Sequence, residues 1–265
     1  MPTAYAPGSV TTVFAPREDG EGSYGVSFAV ADGVRATVDP ADETTVRLDG
    51  EPTDFEPVAG VLDSLDVAAT VDLDAEIPVG RGFGASGAAT LATVLAADAA
   101  FELDLSREAA VDAAHRAEVA AGTGLGDVFV QDRAGLAWNA GDGGGRNRIE
   151  RDDRIEYVST GGIATESVLG DEASMARVAD AGTDALRSFD PEDSLEEWFE
   201  TAWTFARRTG LPTPAVRETV ERVTEAGGAA TMAMVGETVL AAGVEGVLPE
   251  ETRITNEGAH LVDRA

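Results

Sequence analysis

The chain of 265 residues has no cysteine and no lysine, and its two histidines are His115 and His260. Without cysteine there is no disulfide framework and no thiolate zinc site, and two histidines leave little for a histidine-rich metal centre. Without lysine there is no Walker A loop, which needs Gly-Lys-Ser/Thr. No run of about 18 apolar residues occurs, so a membrane-spanning helix is not expected; the apolar stretch around residues 88–101 is broken by Thr90, Thr93 and Asp98. The opening Met1-Pro2-Thr3-Ala4-Tyr5 lacks the basic region and apolar segment of a secretory signal, which points to a soluble, cytoplasmic protein.

Positive charge is equally scarce. Nineteen basic residues, all arginine, stand against 49 acidic ones, for a formal net charge of -30. Such a field repels nucleic acid and anionic membranes, so neither is expected as a partner. An apolar content of 43% with clear periodicity argues against disorder. The charge fits a folded protein from a high-salt cytoplasm, where screening shortens to about 3 Å at 1 M salt. The length allows one large domain or two smaller ones.

What the chain has instead is glycine in one telling place. Residues 78–90 read Pro78-Val79-Gly80-Arg81-Gly82-Phe83-Gly84-Ala85-Ser86-Gly87-Ala88-Ala89-Thr90, a glycine loop running into an alanine-rich helix expected over about 86–101. Glycines at alternate positions let successive backbone N–H groups close around an anion, and the helix points its positive end at the same place. Ser86 stands at the helix start, where a hydroxyl can ligate magnesium or a phosphate oxygen. A dinucleotide fingerprint fits poorly: Ala85 stands where a third glycine belongs, and no acidic residue follows a second strand about 20 residues on. The plainer alternative is a flexible loop capping a core helix.

Strands are expected at 26–30 and 34–38 flanking a hairpin turn at Asp32-Gly33, at 44–48 and at 69–77, with an acidic turn over residues 18–22. Ser106 caps a second helix that carries His115 and Glu118 and stops at Gly122-Thr123-Gly124. Asp127 then follows Gly126 into a new element, either presented to a cavity or simply capping a helix. Residues 141–154 read as a surface loop and domain junction. Beyond it, a strand at 155–158, helical sequence over 165–189, an aromatic helix from Ser194, a helix over 212–226 and a strand at 238–242 are expected. Trp198, Phe199, Trp203 and Phe205 recur at helical spacing and read as core rather than as a ligand stack. Gly227-Gly228 reads as a tight helix-to-strand turn or a close approach of backbone to ligand.

Taken in order, Ala4-Tyr5-Ala6-Pro7-Gly8-Ser9, the Pro78–Ala88 loop and the Gly227-Gly228 segment resemble the three motifs of the GHMP kinase superfamily. The loop is similar to the Pro-x-Gly-x-Gly-x-Gly-Ser-Ser-Ala of homoserine and mevalonate kinases, departing at Ala85 and Gly87. Within the superfamily, His115-Arg116-Ala117-Glu118-Val119 with Gly122 to Val128, and Met232-Ala233-Met234-Val235-Gly236, look most like the archaeal pantoate kinases.

The resemblance implies an α+β fold with an N-terminal half, 1–154, like ribosomal protein S5 domain 2, and a ferredoxin-like C-terminal half, 155–265. It implies ATP and Mg²⁺ as cofactors, with Pro78, Gly80, Gly82, Gly84, Ala85, Ser86 and Gly87 around the phosphates, Ser86 and Glu118 on the metal, and Asp127 as catalytic base. It implies a small-molecule substrate, pantoate, met by Ser9, His115 and Arg133, with Asn139 and Arg146 as further candidates for its carboxylate; homodimer formation is left open. Homoserine, shikimate and mevalonate remain alternative acceptors, and a catalytically silent nucleotide-binding protein the alternative of another class.

Overall fold

Small and β-branched residues in long alternation put the first forty residues into two paired strands, β1 (Thr3–Pro16) and β2 (Ser23–Pro40), running antiparallel. In the computed structural model, residues 1–17, 22–124, 126–140, 145–162, 172–234 and 236–262 are described. The hairpin turn expected at Asp32-Gly33 is replaced by continuous strand. Pairing passes from Pro7 opposite Gly33 to Gly8 opposite Val30, so Ala31 and Asp32 form a bulge within β2. Glycine is needed at 33 because a side chain there would run into the Ala6 carbonyl oxygen. The acidic turn expected over 18–22 lies outside the described residues except for Gly22.

Around this pair assemble β3 (Thr45–Leu48), β4 (Glu51–Pro52), β5 (Ala69–Ala75), β6 (Leu136–Asn139) and β7 (Asn147–Ile149). Among the described residues they form a sheet in the order β12-β1-β2-β5-β3-β4, with β6 on β2 and β7 on β6; β12 (His260–Leu261) returns from the far end of the chain to pair with β1. β7 falls inside the segment expected to be loop. A second, antiparallel sheet holds β8 (Arg154–Gly162), β9 (Ala229–Met232), β10 (Gly236–Ala242) and β11 (Glu250–Arg253) in the order β11-β8-β10-β9.

Among the described residues the helices are α1 (Glu56–Ser64), α2 (Ala85–Phe101), α3 (Arg107–Ala120), α4 (Asp127–Arg133), α5 (Glu172–Ser188), α6 (Leu195–Thr209) and α7 (Pro214–Glu225). Residues 165–171, also expected to be helical, lie outside the described residues. Ser106 accepts from the Ala109 N–H, and Ser194 and Glu197 close a capping box at the start of α6. The α2 helix is buried nearly all round, against β1 and β2. The α6 aromatics are core: Trp198, Phe199 and Phe205 are buried, and Trp198 Nε1 donates to Thr12 Oγ1 across 3.0 Å. The helix thereby ties the second half of the chain to β1.

Candidate active site

The glycine loop lies between the two sheets and is held from both. Gly80, Gly82 and Gly84 have φ of +71°, +88° and +61°, backbone that L side chains rarely adopt, and Gly84 is the left-handed residue from which α2 starts. On one side the Ser9 N–H donates to the Phe83 carbonyl at 2.9 Å. On the other, Thr238 Oγ1 donates to the Arg81 carbonyl at 2.7 Å, and the Phe83 ring packs edge-on against Tyr157 at 4.9 Å. A loop pinned in this way presents the free N–H groups of the α2 terminus without having to order itself around a ligand.

Beside it, α3 delivers Glu118, 2% exposed. Three hydroxyls converge on this carboxylate: Ser86 Oγ at 2.8 Å and Thr90 Oγ1 at 2.7 Å on Oε1, and Thr123 Oγ1 at 2.8 Å on Oε2. Burial pushes its pKa up, and the three donors oppose that rise. Gly124 makes room for it, since a Cβ there would lie 3.1 Å from Glu118 Oε2. Thr90 and Thr123 are not identifiable as members of the cluster from sequence, because their approach depends on how α2 and α3 pack.

Asp127 begins α4. It accepts from Ser9 Oγ at 3.1 Å, and Ser9 Oγ in turn accepts from Gln131 Nε2 at 3.3 Å. Burial raises the Asp127 pKa to about 6, the Ser9 hydrogen bond lowers it, and the Glu118 charge raises it. A carboxylate poised there can take up a proton near neutral pH.

A cavity of about 680 Å³ opens over these groups. Gly80, Gly82, Gly84, Ala85, Ser86, Gly87, Asp127 and Arg133 line it. Ser9 and Glu118 stand just behind, each bonded to a lining residue. Pro78 and His115 do not line it: the His115 ring packs on Phe129, a lining residue, at 4.7 Å, with Nδ1 buried and unpartnered among the described residues. Burial and the nearby Arg146 charge push the His115 pKa down. Asn139 lines the cavity, as do Arg146, stacked 3.6 Å over the Phe129 ring, and Arg148 from β7. Against these three arginines the described lining holds a single carboxylate, Asp127, so the cavity inverts the charge of a chain with 49 acidic residues and 19 basic ones.

Gly227-Gly228 is the turn between α7 and β9 and does not line the cavity. The nearby Met234 does, with its N–H on the Thr11 carbonyl at 2.8 Å. Among the described residues no group of three or more His, Cys, Asp or Glu side chains converges. The Glu118 carboxylate and the Ser86 hydroxyl bonded to it are donors of the kind that suit Mg²⁺ shared with a ligand's phosphates.

Residues 56–135 match the family model "GHMP kinases N terminal domain". The pantoate kinase of Methanospirillum hungatei is 28% identical over 256 residues, spanning 91% of this chain and 87% of that one. The pantoate kinase of Thermococcus kodakarensis is 30% identical over 231 residues, 78% of this chain and 76% of that one. A solved structure titled "Phosphotransferase related to CoA biosynthesis pathway" superposes with a TM-score of 0.83 over 98% of each chain at 23% identity.

Proposed function

We propose that this chain, which belongs to the GHMP kinases, transfers the γ-phosphoryl group of ATP to the primary hydroxyl of pantoate, giving 4-phosphopantoate for coenzyme A synthesis. The observation that carries the reading is one cavity lined together by the glycine loop, by the carboxylate Asp127 and by Arg133, Arg146 and Arg148. Arg133 lies six residues further along α4, about 9 Å along the helix axis, a span suited to a small hydroxy acid.

Phosphoryl transfer asks a protein mainly for positioning and charge neutralisation. The backbone from Gly80 to Gly84 and the α2 N-terminus hold the phosphates of ATP. Ser86 and Glu118 are the residues that would hold Mg²⁺, which when bound neutralises the β- and γ-phosphates. Asp127 accepts the proton of the acceptor hydroxyl as that oxygen bonds to the γ-phosphorus and the bond to ADP breaks. No lysine assists, because the chain has none.

Arg133 and Arg146 hold the acceptor carboxylate. Ser9 fixes Asp127, and His115 supports the acceptor end through Phe129 rather than by touching the substrate. We further propose a division into halves 1–154 and 155–265, the last strand of the second returning to the first sheet, and a working environment of high salt in an archaeal cytoplasm. No described helix is long and apolar enough to cross a membrane. Ranking kcat/KM for pantoate, homoserine, shikimate and mevalonate in molar potassium chloride tests the assignment: pantoate ranks first, and a higher value for any of the others overturns it.

A further inference from the structure

Gln131 is fully buried on α4, a poor place for an amide unless its polar atoms are used. Its Nε2 donates to the Gly84 carbonyl at 2.7 Å and to Ser9 Oγ at 3.3 Å. The orientation of the amide follows from these partners. The Gly84 carbonyl can only accept, and the Ser9 hydroxyl proton is already directed at Asp127 Oδ1. The result is a one-way relay from Gln131 through Ser9 to Asp127, with a branch to the residue that starts α2.

The amide's other end supplies an independent observation. Gln131 Oε1 is buried and has no hydrogen-bond partner among the described residues, and it lies 2.7 Å from where a Cβ on Gly87 would sit. Gly87 is inside α2 at ordinary helical backbone, where alanine would favour the helix by roughly 1 kcal/mol. Glycine here leaves room for the amide. Gly84 does the same from the other side, since a side chain there would run into Ser9 Oγ and reach Gln131 Nε2.

We propose that Gln131 is a positioning residue that locks the catalytic base to the phosphate loop: it holds Ser9 so that the hydroxyl bonds Asp127 Oδ1, leaving the other carboxylate oxygen to meet the acceptor, and it anchors Gly84, so base and phosphate cradle keep one geometry. This rests on Asp127 being the base. A residue that merely filled the core would be replaceable by an apolar side chain of its size, and Gly87 would tolerate alanine.

The test uses the full chain in two variants. Gln131→Met keeps the volume and removes both hydrogen bonds; Gly87→Ala keeps Gln131 but pushes its amide out of place. For each, kcat and both KM values are measured across pH, and the Asp127 carboxyl is titrated directly by carbon-13 NMR, a readout that needs no acceptor. Glu118 of α3 is the charged group facing Asp127 from a neighbouring element, and Arg133 shares its helix; both are unchanged in the variants. Both variants should lose roughly 10- to 100-fold in kcat, the size of a charge-assisted hydrogen bond, with little change in KM for the acceptor. Both should move the acid limb of the pH profile and the Asp127 midpoint upward, because the Ser9 hydrogen bond favours the ionised form. If Gln131→Met does not fold, Gly87→Ala decides. Wild-type kcat with an unmoved Asp127 midpoint overturns the proposal. Absence of pantoate turnover in the wild type counts against the substrate assignment alone, and the titration then decides the role of Gln131.

Discussion

Ser86 Oγ and Glu118 Oε1 are 2.8 Å apart, so the hydroxyl at the start of α2, on the cavity wall, and the carboxylate of α3 just behind it form one unit. Removing either partner frees the other. Ser86→Ala and Glu118→Gln should each lower kcat/KM for ATP by roughly 10- to 100-fold, the range for a hydrogen bond to a charged group. Both should also raise the magnesium concentration needed for half-maximal rate. Titrations of rate against ATP and against magnesium check this, and unchanged requirements for both would separate the pair from the nucleotide.

Asp127→Asn should cut kcat by about 10² to 10⁴ while leaving ATP affinity nearly unchanged, since the amide keeps the shape and cannot accept the proton. In the wild type, activity should rise with pH through about 6 as Asp127 ionises. Stability runs the other way. A carboxyl whose folded pKa is raised contributes stability below its ordinary pKa and loses that contribution as pH rises through about 6. Asp127→Asn should therefore be more stable than wild type above pH 7, by on the order of 3 kcal/mol, and alike at pH 4. Thermal melts at the two pH values check it.

Arg133→Ala and Arg146→Ala should raise KM for pantoate roughly 10- to 100-fold with KM for ATP unchanged, since each removes a cation from the cavity lining that we propose holds the acceptor carboxylate. His115→Ala should raise the pantoate KM less, because its ring reaches the cavity only through Phe129. Two-substrate kinetics on the three variants give the ranking.

The net charge of -30 repels itself in the folded state, and salt relieves that repulsion. The melting temperature should rise by about 10 °C or more between dilute buffer and molar potassium chloride, corresponding to a few kcal/mol for a chain of this size. Circular dichroism melts against salt measure it, and equal melting at both ends would remove the high-salt reading.

Features written in local chemistry were legible in the sequence. Ser106 signalled its helix by capping, and three alternate glycines marked the loop because its backbone needs left-handed residues. Features set by distant pairing were not. Asp32-Gly33 has the composition of a turn, yet pairing with β1 on both sides of the bulge, and with β5 from Val34 onward, carries β2 through it. β7 is three residues long and exists by lying against β6. Gln131 carries no signal at all: it is an ordinary helix residue until packing brings it 2.7 Å from the Gly84 carbonyl. The arginines that line the cavity come from α4 and from the segment around β7, so composition revealed only an acidic chain.

The most direct measurement is the identity of the product. Purified protein given ATP, magnesium and pantoate in molar potassium chloride should release one ADP for each phosphomonoester formed, and phosphorus-31 NMR with proton coupling should place the phosphate on the C4 oxygen of pantoate. ATP consumption without phosphopantoate, or phosphate carried on a different oxygen, would contradict the assignment.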